Sequence, residues 1–324
     1  VRAVPPSVLV VGGILSVQIG AGLANRLFSQ VTPAAMTGLR LWAAAALMAG
    51  FGARGLAQSV RGLVRERAWR DAAVAAAFGV TLGIMNFSIY QAMARIPLGI
   101  AVTIEFLGPL AVAVASSRRL IDLLWVGLAG AGVALLSDGW ASLAHAAGPG
   151  RAGAGPVGLA LSGVAFALVS AAGWAAYILL SAATGRRFSG SSGLTIAMVT
   201  AALVVTPAAA ASRSAEHGSL LHPAILGTGI AVGLLSSVIP YRLELEMLRR
   251  IPARIFGIWM SLEPAVAALV GLVLLGEALA AREWAAIGCV VVACAGAARG
   301  AGRAGPGGAE PDTAAEALPS APAP

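Results

Sequence analysis

Arg95-Ile96-Pro97-Leu98-Gly99-Ile100-Ala101-Val102-Thr103-Ile104-Glu105-Phe106-Leu107-Gly108-Pro109 returns about 155 residues later as Arg250-Ile251-Pro252, an apolar run, and Ser261-Leu262-Glu263-Pro264. The chain is built twice. Each copy places an Arg-Ile-Pro turn before an apolar stretch that ends close to an acid and a proline. In a sufficiently apolar chain, a repeat of roughly half the length is the trace of a membrane protein whose two halves move about a shared centre.

The composition meets that condition. Hydrophobic residues make up 58% of the 324 and charged residues 11%, with a mean hydropathy of +0.86. Working outward from the repeat, ten apolar stretches are each long enough to cross a hydrocarbon core of about 30 Å. They run near 8–28, 34–52, 72–94, 98–116, 121–138, 156–181, 191–211, 223–247, 254–276 and 283–299. Backbone polar groups in lipid must be satisfied within their own segment, and the strict apolar/polar alternation of a barrel strand is absent. The expectation is an all-α integral membrane protein of ten transmembrane helices. Five helices per half return the chain to the opposite face, so the second half, 156–298, enters inverted relative to the first, 8–138. Arg95 and Arg250 then lie on opposite sides of the membrane.

A net charge of +8 suggests nucleic acid until the arginines are placed. With the amino terminus in the cytoplasm, about fifteen of the 22 basic residues fall on that side, including Arg54, Arg61, Arg65, Arg67, Arg70, Arg118, Arg119, Arg186 and Arg187. This is the positive-inside pattern, and it puts both termini in the cytoplasm. No aromatics interleave with the charges as a single-strand-binding surface requires, so no nucleic-acid partner is expected. The chain has no lysine, which excludes a P-loop and Schiff-base chemistry within it. Cys289 and Cys294 share the last span and read as small core residues. His145, His217 and His222 fall in loops, with no metal-binding helix motif. Neither a cofactor nor an enzyme is expected. The first span reads as an uncleaved signal anchor followed by nine further spans.

Gly139 to Gly155, rich in Gly, Ala and Pro, reads as an external linker between the halves, and 300–324 as a disordered cytoplasmic tail. Within the spans, close-spaced glycines such as Gly127, Gly130 and Gly132 read as helix-packing positions.

Function then rests on the few polar groups at membrane depth, where an ionisable side chain costs about 2.5–3.5 kcal/mol on insertion scales. These are Gln18, Arg40, Asn86, Glu105, Arg242, Glu244, Glu246 and Glu263. Glu105 has apolar flanks on both sides and Pro109 four residues on. A proline cannot donate to the carbonyl one turn back, so Pro109 frees the carbonyl of Glu105, Pro240 that of Ser236, and Pro264 that of Met260. Three interrupted helices with acids nearby imply a polar cavity lined by backbone and carboxylates. A carboxyl group at such a site can take up a proton from one side and release it on the other; alternatively, Glu105 or Glu263 is locked in an ion pair with Arg40. Asn86 and Gln18 either bond a substrate or join two helices. Trp174 and Tyr177, one turn apart, and Tyr90, one turn beyond Asn86, either wall the cavity or belong to an interfacial or packing belt.

Taken together, Gln18-Ile19-Gly20-Ala21, Leu39-Arg40-Leu41, Met85-Asn86, Pro97-Leu98-Gly99-Ile100-Ala101-Val102, Glu105-Phe106-Leu107-Gly108-Pro109, Ser116-Ser117-Arg118-Arg119, Trp174-Ala175-Ala176-Tyr177, Pro240-Tyr241 and Met260-Ser261-Leu262-Glu263-Pro264-Ala265 resemble a known family. It is that of the bacterial threonine/homoserine exporters of the drug/metabolite transporter superfamily, which carry two EamA domains. The resemblance covers roughly 8–298. It implies a multi-pass inner-membrane carrier that exports small amino acids on the proton gradient, with Arg40, Asn86, Glu105, Tyr241, Glu244 and Glu263 as matching site positions. Arg242, Glu246 and the tail depart from the pattern. The expected mechanism is alternating access with proton antiport, its partners being the amino acid, protons and the bilayer. Export of another metabolite or drug on the same fold, and a non-transporting scaffold or sensor, are the competing readings.

Overall fold

The computed structural model describes residues 5–65, 67–115, 121–147, 156–188, 192–212, 222–240, 243 and 253–301. Tyr241, Glu244, residues 148–155 of the expected linker and the tail beyond 301 lie outside the described residues.

All regular structure among the described residues is helical: α1 (Pro6–Arg26), α2 (Pro33–Arg65), α3 (Trp69–Met93), α4 (Leu98–Glu105), α5 (Leu107–Ala115), α6 (Ile121–Ala147), α7 (Pro156–Gly185), α8 (Ser192–Ala211), α9 (Pro223–Gly233), α10 (Ala253–Met260), α11 (Glu263–Val270) and α12 (Ala281–Ala301). Two single π-helical turns, Leu234–Val238 and Gly271–Leu275, continue α9 and α11. Four of these helices start at a proline (Pro6, Pro33, Pro156, Pro223), where the missing N–H is not needed and the fixed φ suits the first turn. Seven helical stretches are long and apolar enough to cross a membrane, and a bent pair in α2 makes eight; Ile121–Leu135 and Pro223–Val238 are shorter apolar helices. Large apolar side chains such as Leu123, Leu124, Leu179 and Val273 stand exposed on the outside, a surface that lipid matches and water does not.

The repeat in the sequence becomes a repeat of broken helices. Leu98–Glu105 and Ala253–Met260 are eight residues each and lie 155 apart. The first breaks at Phe106 and the second at Ser261-Leu262, ahead of Pro109 and Pro264. The halves interlock here, because α4 packs on α11 and α5 on α7. A Cβ on Gly99 would stand 2.7 Å from Ala268 Cα, and one on Gly108 2.1 Å from the Ala171 carbonyl oxygen. Only glycine lets the backbones approach so closely.

Two expected boundaries move. The second span, read as ending at 52, continues as helix to Arg65. Its two legs, Pro33–Gly50 and Gly55–Leu63, meet at 96°, and the bend falls where Gly50 and Gly52 weaken the helix. Part of the arginine cluster therefore rides on a helical leg. The region read as a linker from Gly139 is helical as far as Ala147, because Trp140 to Ala147 holds four alanines and a leucine, which favour helix more than the flanking glycines oppose it.

Candidate functional site

The interrupted helices enclose a cavity of about 560 Å³, walled by α1, α2, α3, α4, α5, α7, the turn after α9, α10, α11 and α12. Its volume falls within the range of small-molecule sites, about 300–1,000 Å³. Gln18, Arg40, Asn86, Tyr90, Glu105, Pro109, Trp174, Tyr177, Pro240 and Glu263 all line it. Pro264 sits beside it, buried at the start of α11.

The two acids come from different places in the repeat. Glu105 closes α4 and Glu263 opens α11, so by the 155-residue offset Glu105 corresponds to Met260 and Glu263 to Gly108. Both are buried, and each is held by a neutral donor. Ser170 Oγ donates to Glu105 Oε1 at 2.5 Å, and Gln18 Nε2 donates to Glu263 Oε1 at 2.9 Å. Gln18 thus joins α1 to α11. Asn86 instead turns back on its own helix, its Nδ2 donating to the Leu82 carbonyl at 2.8 Å.

Arg40 is not locked to either glutamate: no ion pair joins it to Glu105 or Glu263 among the described residues. Its Nη2 donates to the Ser236 carbonyl at 3.3 Å and reaches Ser237 Oγ at 3.5 Å. The π-helical turn shifts the expected gap by one residue: Ile239 donates to Leu234, so the missing N–H of Pro240 falls to the Leu235 carbonyl, which Ser16 Oγ bonds at 2.7 Å, while the guanidinium reaches the neighbouring Ser236 carbonyl. The guanidinium carbon also lies 5.3 Å from the Tyr90 ring centroid, a cation–π distance. Trp174 meets Phe106 edge to face at 4.8 Å, and Tyr177 meets Phe78 at 5.2 Å. These two aromatics face the cavity and pack at the same time. Cys294, expected only as a core residue, lines the cavity with its thiol 3.9 Å from the Phe106 carbonyl.

One end of the cavity is lined by Val10, Ala113, Pro240, Phe256 and Ala298, near the start of α1 and the end of α12. The opposite end is tied together by hydrogen bonds between elements. Asn25 Nδ2 donates to the Met93 carbonyl, Arg26 Nε to the Leu274 carbonyl at 2.7 Å, and the Leu98 amide to Glu277 Oε2 at 2.8 Å. Arg95 stays out of the cavity, bonding Gln91 and lying over the Phe166 ring.

Comparison with known proteins gives this arrangement a family. The EamA-like transporter family matches residues 161–299. The Escherichia coli K12 protein named threonine/homoserine exporter RhtA is 36% identical over 297 residues, 90% of each chain. The chain belongs to the EamA-like transporter family. A second relative of the same name, from Salmonella typhimurium LT2, is 34% identical over 300 residues, again covering 90% of each chain. A crystal structure 18% identical in sequence matches with a TM-score of 0.54, over 92% of this chain and 98% of the other, and supports the fold alone. This EamA-like chain is thus a multi-pass membrane transporter of the drug/metabolite transporter superfamily, and its relatives are named as exporters, not as enzymes.

Several residues of this EamA-like site were not visible beforehand. Ser170 shares a helical face with Trp174 and Tyr177 at i, i+4 and i+7, the signal that would have found it. Ser236 and Ser237 are ordinary in sequence and matter because they sit in the π-helical turn that Arg40 reaches.

Proposed function

We propose that this protein exports small amino acids of the threonine/homoserine type from the cytoplasm across the inner membrane, by alternating access coupled to proton entry. The carrying observation is a cavity shared by the two broken helices with two buried carboxylates, each held by a neutral side chain, in a chain 36% identical to a threonine/homoserine exporter. Seven or eight helices of spanning length and two shorter apolar ones support ten spans in two inverted repeats, 8–138 and 156–298. The arginine distribution supports cytoplasmic termini, which makes the tied end of the cavity the outer one and the conformation inward-facing.

In this cycle a zwitterion enters from the cytoplasm and its ammonium competes with a proton for Glu105 or Glu263. Rocking of the halves opens the outer end, the substrate leaves and the acid is reprotonated. Net direction requires this competition, since equal occupancy in both orientations moves nothing uphill. Tyr241 and Glu244 belong to the same proposal as site positions implied by the family resemblance.

The test is efflux of labelled threonine and homoserine from proteoliposomes, with and without an imposed pH gradient. Gradient-stimulated efflux that is lost in Glu105→Gln or Glu263→Gln supports the reading; gradient-stimulated efflux unchanged in both variants would sink the proton assignment. A second reading, a carrier of organic cations, is favoured by the excess of acids over cations among the described lining residues and by the Trp174, Phe106 and Tyr177 wall. Selective transport of amines that lack a carboxylate would establish it.

A further inference from the structure

Among the described residues, four residues that line this one cavity each carry a buried side-chain atom without a hydrogen-bond partner: Gln18 Oε1, Arg40 Nε, Tyr90 Oη and Ser236 Oγ, the last lying against Gly20 of α1. Leaving such groups dry and unpaired is costly, and four around one space mark a missing polar occupant. Their chemistry is directional. Arg40 Nε can only donate, and with Nη2 turned to Ser236 and Ser237 it offers a charge-assisted bond to one carboxylate oxygen. Gln18 has its amide nitrogen committed to Glu263 Oε1, so its oxygen remains an acceptor and asks for an N–H. The Tyr90 and Ser236 hydroxyls can turn to either role.

We infer that the cavity binds the head group of a primary α-amino acid in one fixed direction, its carboxylate on Arg40 and its ammonium on Gln18 Oε1 and Tyr90 Oη. This rests on the reading of the cavity as the transport site and gives it a rule of recognition: both the carboxylate and the ammonium are obligatory. The Tyr90 ring lies under the guanidinium while its buried hydroxyl has no hydrogen-bond partner, so one residue orients the anion site and completes the cation site. Gln18 in turn is fixed by Glu263, which places that acid within reach of the substrate amine without ion-pairing to Arg40. A zwitterion also adds no net charge to a cavity whose described lining holds one guanidinium and two carboxyl groups. A bare organic amine would leave Arg40 Nε unpaired, and a bare acid would leave Gln18 Oε1 unpaired.

The experiment is counterflow of labelled threonine in proteoliposomes containing the wild-type protein. The competitors are unlabelled threonine, the amino alcohol in which CH2OH replaces its carboxylate, and the hydroxy acid in which OH replaces its ammonium. Each analogue loses a charged hydrogen-bond partner and should compete about 10- to 100-fold more weakly than threonine. Arg40→Gln should raise the threonine KM by a similar factor and leave inhibition by the amino alcohol nearly unchanged. The analogue series needs no variant, so a folding defect in Arg40→Gln does not decide the matter. An amino alcohol that competes within threefold of threonine overturns the directional site while threonine exchange in the same vesicles keeps amino-acid transport standing. Vesicles that exchange no threonine at all overturn both.

Discussion

Replacing Gly108 by alanine tests whether the close approach of α5 to α7 positions the carboxylates. A Cβ at 108 would stand 2.1 Å from the Ala171 carbonyl oxygen and 2.9 Å from its carbon, where ordinary contact begins at 3.4 Å. The obstructing atoms are backbone, so no side-chain rotation relieves the clash, and the two helices must part locally by roughly 1.3 Å, the difference between 3.4 and 2.1 Å. Ala171 follows Ser170, whose hydroxyl bonds Glu105 at 2.5 Å, and Gly108 is three residues past Glu105. A displacement of that size carries the hydrogen bond beyond useful length. Overpacking of this kind costs about 1–3 kcal/mol. Gly108→Ala should insert normally, unfold at lower temperature and lose most gradient-driven threonine efflux. Gly127→Ala, where an added Cβ meets nothing within 4 Å, should behave as wild type. Assays are thermal unfolding in detergent and efflux from proteoliposomes on the same preparations. Wild-type melting and wild-type efflux in Gly108→Ala would refute the packing argument.

Ser170→Ala removes one hydrogen bond to a buried carboxyl group, worth about 1.5–3 kcal/mol when the partner is charged; gradient-driven efflux should fall at least about tenfold. Glu277, between the last two spans, has its pKa raised by burial, an effect opposed by the Leu98 amide that it accepts. A carboxyl held above its unfolded value contributes stability that is full below the ordinary glutamate range and is lost as pH rises through the folded value. The melting temperature of wild type relative to Glu277→Gln should therefore decline as pH rises from below 4.5; a pH-independent difference would contradict this. Asp71→Asn breaks the 3.0 Å pair with Arg187, whose side chains are 40% and 37% exposed respectively. Such a pair contributes less than about 1 kcal/mol, so melting and efflux should barely change.

What could be read from the sequence follows the range of the interaction. Glu105 and Pro109 stand out because charge and proline are rare inside apolar runs, and the second Arg-Ile-Pro copy gives the register of the second broken helix. A break in the hydrogen-bond ladder around Ser236 follows from Pro240 alone. Its partner does not: Arg40 lies 196 residues away, and nothing local to either residue joins them. Ser170 and Glu105, separated by 65 residues, and Leu98 and Glu277, by 179, are hidden for the same reason. Asn86 shows the opposite limit, since a polar group at membrane depth can be satisfied by its own helix one turn back. Boundaries moved where composition misled: Gly50 and Gly52 bend α2 without ending it, and Gly139 does not stop α6 before Ala147.

Threonine flux and proton flux measured together test the central claim most directly. Proteoliposomes loaded with threonine and a trapped pH dye, with no starting pH gradient, are diluted into threonine-free buffer. Antiport predicts that the lumen acidifies as threonine leaves, and that the acidification disappears in Glu105→Gln or Glu263→Gln. Threonine leaving wild-type vesicles with the lumen pH unchanged would contradict it.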